Sequence, residues 1–461
     1  MRDARGMTLT TSNRSAADCY DAAVLEFASF TDDPVVTLDK ALEADPNFAE
    51  ALAAKAALFC TTSEQPLEAE TVALVAAIEG QGSAAGETAR RHAAAAKTWI
   101  SGDWHKANAL WGSLAMDHPQ DLVAVQTAHL TDFLLGQNQM LRDRIAAVLP
   151  AWSEDMPGYS YLYGMRAFGE EESGRYAEAE ASGLRALEMQ PRDPWAVHAV
   201  THVMEMQGRT ADGIAHLRGR EGDWAPDSFL AYHVWWHLAL FHLDRGDTEE
   251  ALKLYDSGVH PRHTEVAMEM LDAASLLWRL RLMDVEVGAR WKDPLTLYEA
   301  QAEDGYYAFN DMHAMMTFLG SERFDLAERL VATMERRAAK GGSNGMMARD
   351  AGLPTVRGLL AFARGDYETA VEHLELARPA AHRFGGSHAQ RDVIAWTATE
   401  AALRGNLSPR AQGLLAERLA AKPQSPTILR QQARLYRMTG RTAEAERTDS
   451  QASNLAATLA A

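Results

Sequence analysis

The chain has 461 residues, 45 basic against 64 acidic side chains, a formal net charge of −19, and 47% hydrophobic residues. This balance excludes a disordered chain, and the acidity, with no basic stripe, argues against a nucleic-acid partner. Only two cysteines occur, Cys19 and Cys60, so a disulfide framework and a Cys-rich zinc site are excluded and a reducing compartment is expected.

In chain order, residues 1–18 are polar, lack an apolar core, and are expected to form a flexible leading segment rather than a secretory signal. From there on the chain is punctuated at regular intervals. The turn markers are Gly102, Gly136, Gly174, Gly208, Gly246, Asp284, Gly320, Gly365, Gly405 and Gly440. Intervals run from 34 residues (Gly102 to Gly136) to 45 (Gly320 to Gly365). Phe324 matches the usual turn aromatic and moves the marker after Asp284 from Gly320 to Glu322. The Gly341-Gly342-Ser343-Asn344-Gly345 stretch is a loop and accounts for the long interval. Small residues such as Ala177, Ala181 and Ala186 follow the turns, and prolines such as Pro119, Pro191 and Pro423 close units.

This is the tetratricopeptide pattern of stacked antiparallel helix pairs. It predicts an all-α fold, a right-handed superhelical solenoid of about ten pairs occupying residues 1–461 as one domain. The most apolar stretch, Leu230 to Leu243, is too short to span a bilayer and contains His233, His237 and His242. No membrane partner and a cytoplasmic location are therefore expected.

Several longer strings carry a resemblance. They are Val148-Leu-Pro-Ala-Trp152 with Asp155-Met-Pro-Gly158, Trp195-Ala-Val-His198-Ala-Val-Thr-His202-Val-Met-Glu205-Met-Gln-Gly208-Arg209, His233-Val-Trp235-Trp236-His237-Leu-Ala-Leu240, and Gly385-Gly-Ser-His388-Ala-Gln-Arg391-Asp392. With them the chain resembles the tetratricopeptide repeat protein 38-like family over nearly its whole length. Val234 departs from the Asn expected there. The resemblance implies a helical-repeat fold and brings no settled activity.

Function is therefore read from the repeat register. In each pair the first helix lines an inner groove, and positions near 2, 5, 9 and 12 fall on one face. The helix ending at Gly208 puts His198 at 5, His202 at 9 and Glu205 at 12. Asp193 is its N-cap and Pro194 its first helical residue. The next groove helix puts His233 at 2, Trp236 at 5 and His237 at 6, so the two histidine pairs are expected to face each other across one seam. Further groove positions hold Tyr161, Trp278 with Asp272 nearby, and His313. The helix starting after Gly385-Gly386 adds His388, Arg391 and Asp392.

Imidazoles one turn apart on one face ligate transition metals. The expected site is thus a groove pocket with His198, His202, His233 and His237 as metal ligands, and a divalent transition metal such as zinc as the cofactor. Tyr161, Trp236, Trp278, His313, His388, Arg391 and Asp392 would bind substrate. If the protein is an enzyme, His202, Glu205 and His237 would carry metal- or His-assisted hydrolysis or elimination. The partner is then a small molecule. A non-catalytic scaffold holding a peptide or protein in the groove is the alternative, and a homo-oligomer stays open. The acidic run Glu170, Glu171 and Glu172 is expected to be a solvated helix end, and His242 a packing residue.

Overall fold

The computed structural model describes residues 1–62 and 64–460. Among these the fold is all-α, built of tetratricopeptide-type helix pairs. Its only extended contacts among the described residues are single bridges, Arg2 with Thr8 and Thr31 with Ser228. No described helix is long and apolar enough to cross a membrane.

The chain separates into two compact units. The first comprises Met1–Val200, Gly222–Leu230 and Gly342–Asn344. Its helix pairs are Arg14–Ser29 with Pro34–Ala44, Ala49–Thr61 with Glu68–Gly80, Glu87–Ile100 with Trp104–Asp117, Leu122–Leu134 with Asn138–Val148, and Tyr159–Glu172 with Tyr176–Met189. The two earliest pairs precede every glycine marker. Phe30 and Asp32 take the left-handed conformation in the first turn (φ 54° and 56°), so a glycine count passes over it.

The leading residues are packed. Asp3 and Arg5 form a buried ion pair at 3.0 Å, and Asn13 caps the helix that already begins at Arg14. The acidic run is buried as well, contrary to the expectation of a solvated end. Glu170 accepts hydrogen bonds from Arg166 (2.9 Å) and Ser182 (2.7 Å), and Glu172 accepts from Asn138 (3.0 Å). Arg166 on the same helix, and Ser182 and Asn138 on the neighbouring ones, replace water for Glu170 and Glu172.

The second unit comprises Thr201–Glu221, Ala231–Gly341 and Gly345–Ala461. Its inner helices are α1 (Pro194–Met206, entering from the first unit), α2 (Ala231–Arg245), α3 (Ala267–Leu282), α4 (Ala308–Gly320), α5 (Leu353–Ala363), α6 (His388–Arg404) and α7 (Pro426–Met438). Each is followed by an outer helix, such as Ser408–Ala421 after α6. The turns sit at left-handed residues where the register put them: Gly208, Gly246, Asp284, Glu322, Gly365 and Gly440. Gly405 is an exception, since the left-handed residue there is Asn406 (φ 55°). Gly405 serves close packing instead, because a Cβ would lie 2.8 Å from Cβ of Tyr367.

Within this unit the inner helices of the early pairs meet those of the late pairs. The Thr427 hydroxyl at the start of α7 donates to the Leu243 carbonyl of α2 at 2.7 Å. Trp278 of α3 donates through Nε1 to Thr397 of α6 at 3.0 Å. The expected open groove is here a closed core, and Trp236, His237 and Trp278 are fully buried. The reason is legible in α2, where every residue from Val234 to Leu243 except Trp235 is buried, on all faces of the helix. A helix apolar on all sides must be covered on all sides.

Candidate metal centre and adjoining cavity

Helix α1 starts as its sequence dictates. The Asp193 carboxylate accepts from the Ala196 amide at 3.0 Å, Pro194 occupies the first helical position, and Gly208 (φ 68°) ends the run. That register turns His202 and Glu205 toward α2, where His233 and His237 are one turn apart.

His202 and His237 are completely buried, with ring centroids 4.5 Å apart, and His233 lies 4.8 Å from His237. One ring nitrogen from each of the three lies within 4.8 Å of the others. Carboxylates fix two of the rings. His237 Nδ1 donates to Glu205 at 2.8 Å, and His233 Nδ1 donates to Asp272 of α3 at 2.7 Å. With the proton on Nδ1, the lone pair is on Nε2, the tautomer a metal ligand requires.

Burial, reinforced by the neighbouring imidazoles, holds His202 and His237 well below the usual histidine range. For His202 this outweighs the opposing charge of Glu205, and for His237 Lys422 and Arg279 add to it. Both are neutral rings, which is the ligating state.

Trp236 stacks on His233 with ring centroids 5.2 Å apart, and the Arg279 guanidinium of α3 lies 5.3 Å over the Trp236 ring. Arg279 is itself buried. It donates to the Ala389 carbonyl at 2.8 Å and to Ser275, and burial lowers its pKa to about 10. It thereby ties α3 to the first turn of α6.

Beside Glu205 opens a cavity of about 230 Å³, also bounded by His388 and Asp392 of α6 and by Arg418 and Lys422 of the outer helix and its end. Arg418 donates to both Asp392 oxygens (2.8 and 3.3 Å). Packing works against ionisation of Asp392, but Arg418, Lys422 and Arg279 outweigh it and hold its carboxyl below the usual range. The Lys422 ammonium stands 3.6 Å from the second oxygen of Glu205. Glu205 therefore belongs to both features, one oxygen on His237 and the other at the cavity.

The structure thus brings together His202, Glu205, His233, His237 and Trp236, and sets His388 and Asp392 on the adjoining cavity. His198 is buried one helical turn before His202 on α1, its ring packed near Phe168 and Trp195 in the first unit. Tyr161 also belongs to the first unit.

Three expected substrate contacts lie elsewhere. Trp278 packs with Phe362 and bonds Thr397. His313 is buried with Nδ1 donating to the Phe309 carbonyl at 2.9 Å, and burial pulls its pKa down to about 4. Arg391 turns back to the carbonyls of Gly385 and Gly386. A guanidinium at a helix start meets its own loop before it reaches across a cavity. The register passed over Arg279, Arg418 and Lys422. Arg418 and Lys422 come from an outer helix, which the repeat pattern assigns to the convex side. His242 sits where packing was expected, with Nδ1 3.3 Å from Asp247.

No family model matches the chain. Among solved structures, the human IFIT1 dimer with m7Gppp-AAAA matches at 11% identity and a TM-score of 0.43, covering 97% of this chain and 96% of that one. Yeast Tom70 matches at 13% identity and a TM-score of 0.34, covering 97% and 96%. Likeness at this level carries no argument about the site.

Proposed function

We propose that this helical-repeat protein binds a small molecule beside a buried metal centre whose ligands are His202, His233 and His237. An all-imidazole donor set suits a divalent transition metal such as zinc. The observation that carries the reading is the pair of carboxylate-held rings, Glu205 on His237 and Asp272 on His233, around nitrogens that lie within 4.8 Å of one another. The three imidazoles would hold one ion between them once they close on it.

When bound, the ion supplies Lewis acidity next to the cavity. Glu205, with an oxygen at the cavity edge, is the group placed to take a proton from a ligand or water held there. His202 is the alternative proton carrier in a metal-free site. Hydrolysis or elimination is the reaction class this arrangement suits. The same histidine-bearing strings carry the resemblance to the tetratricopeptide repeat protein 38-like family, and we propose membership on that ground.

Elemental analysis of protein purified without a histidine tag tests the centre. About one equivalent of transition metal is expected, lost in a His202→Ala, His237→Ala variant. Metal-free wild-type protein whose stability is unmoved by added zinc would sink the metal centre. The rival reading, a scaffold for an extended peptide, is disfavoured in the second unit because its inner helices close on one another. Tight capture of a peptide tail by this protein, with no thermal shift from small molecules, would restore it.

A further inference from the structure

The cavity beside Glu205 has a lining from which a ligand class can be read. Its charged groups are matched in number: Arg378 pairs with Glu417, Arg418 with Asp392, and Lys422 with Glu205. The three pairs are not equally closed. Arg378 and Arg418 each make hydrogen bonds to their carboxylates. Lys422 stands at 3.6 Å from Glu205, outside hydrogen-bond length, and its ammonium makes no hydrogen bond among the described residues.

All three carboxylates, by contrast, already accept. Glu205 accepts from His237, Asp392 from Arg418, and Glu417 from Arg378. Of the six charged groups in these pairs, Lys422 is thus the one whose charge meets no hydrogen-bonding partner among the described residues. Lys422 is also sheltered, with only 22% of its side chain exposed. A charge-assisted hydrogen bond is stronger in such a place than in open water.

Apart from His388 and Thr399 the remainder of the wall is apolar, and its larger side chains are Met206, Leu414 and Ile428. A volume of about 230 Å³ is below the usual range for drug-sized ligands, so the occupant is small.

We infer that this cavity binds a small carboxylate with an apolar body, its carboxylate on Lys422 and its body between Met206, Leu414 and Ile428. The inference deepens the proposed function by naming its ligand class, and rests on that reading only for the adjacent metal. The ligand carboxylate shares Lys422 with Glu205, which places the ligand's polar end next to the histidine cluster.

The test compares three probes of one shape, 4-methylpentanoate, 4-methylpentan-1-ol and 4-methylpentylamine, by isothermal titration against the purified full chain. The acid is expected to bind at least about tenfold tighter than the alcohol or the amine, since a hydrogen bond to a charged partner is involved. Lys422→Gln is expected to lose about tenfold or more of that affinity, and Lys422→Arg to retain most of it. Tightest binding by the amine, unchanged acid affinity in Lys422→Gln, or no binding of any probe overturns the inference. Metal content measured on the same samples separates the two ideas. A metal-free protein that binds the acid through Lys422 sinks the metal centre alone, and a metal-loaded protein indifferent to the acid sinks the ligand class alone.

Discussion

Glu205 accepts the Nδ1 proton of His237 at 2.8 Å, one turn beyond His202 on the neighbouring helix. This single contact joins α1 to α2, selects the tautomer of His237, and leaves the second Glu205 oxygen at the cavity. The histidine cluster and the cavity are thereby parts of one arrangement.

Asp272 plays the matching role for His233 from α3, 2.7 Å away. Asp272→Asn keeps the shape but removes the charge that makes the ring a better donor to a metal. Metal affinity is expected to fall about 10- to 100-fold, read by competition with a chromophoric chelator. Unchanged affinity would remove Asp272 from the support of the centre.

Asp311 on α4 provides a pH prediction away from the cluster. Burial raises its carboxyl to about 7, against partial opposition from Arg337. Because the folded value lies above the unfolded one, the folded state holds the proton more tightly. Its contribution to stability is full in acid, and it declines as pH rises through the range up to about 7. Asp311→Asn removes that decline, so the variant should gain on wild type between pH 5 and pH 8 in denaturant titrations (both chosen as roughly bracketing values). A difference that does not change with pH would contradict the assignment.

Two helical glycines should respond in opposite senses to alanine. A Cβ on Gly320 would run into the Trp291 ring, whereas one on Gly413 meets open space. Gly320→Ala is expected to cost about 1–3 kcal/mol through overpacking. Gly413→Ala should stabilise by up to about 1 kcal/mol through helix propensity. Chemical denaturation of both variants decides it, and equal effects would refute the contrast.

Trp278 separates packing from ligand binding. Trp278→Phe loses the Nε1 hydrogen bond and leaves the buried Thr397 hydroxyl without that donor. Stability should fall by about 1–3 kcal/mol, while metal content and binding of 4-methylpentanoate stay as in wild type. Loss of binding in a variant of normal stability would return Trp278 to the site.

Much of this was legible from residue spacing. Asp193 and Pro194 marked the start of α1, and Gly208 its end. The one-turn interval between His233 and His237 put both rings on one face of α2 without any knowledge of the fold. What spacing left undecided was which helices face one another. The register assigned Trp278 and His313 to a groove wall, but α3 and α4 lie in a packed interior, and such burial depends on partners more than a hundred residues away, as with Thr397 for Trp278.

The sequence by itself determined the helix pairs, their turns and the face each histidine takes, because these follow from helical periodicity and left-handed turn residues within a few positions of one another. The tertiary structure alone decided that the inner face of the second unit closes into a core. It also decided that Glu205 engages His237 and that Arg418 and Lys422 reach the cavity from an outer helix. Those outcomes depend on packing between distant segments, where burying an apolar helix on every side outweighs keeping a groove open.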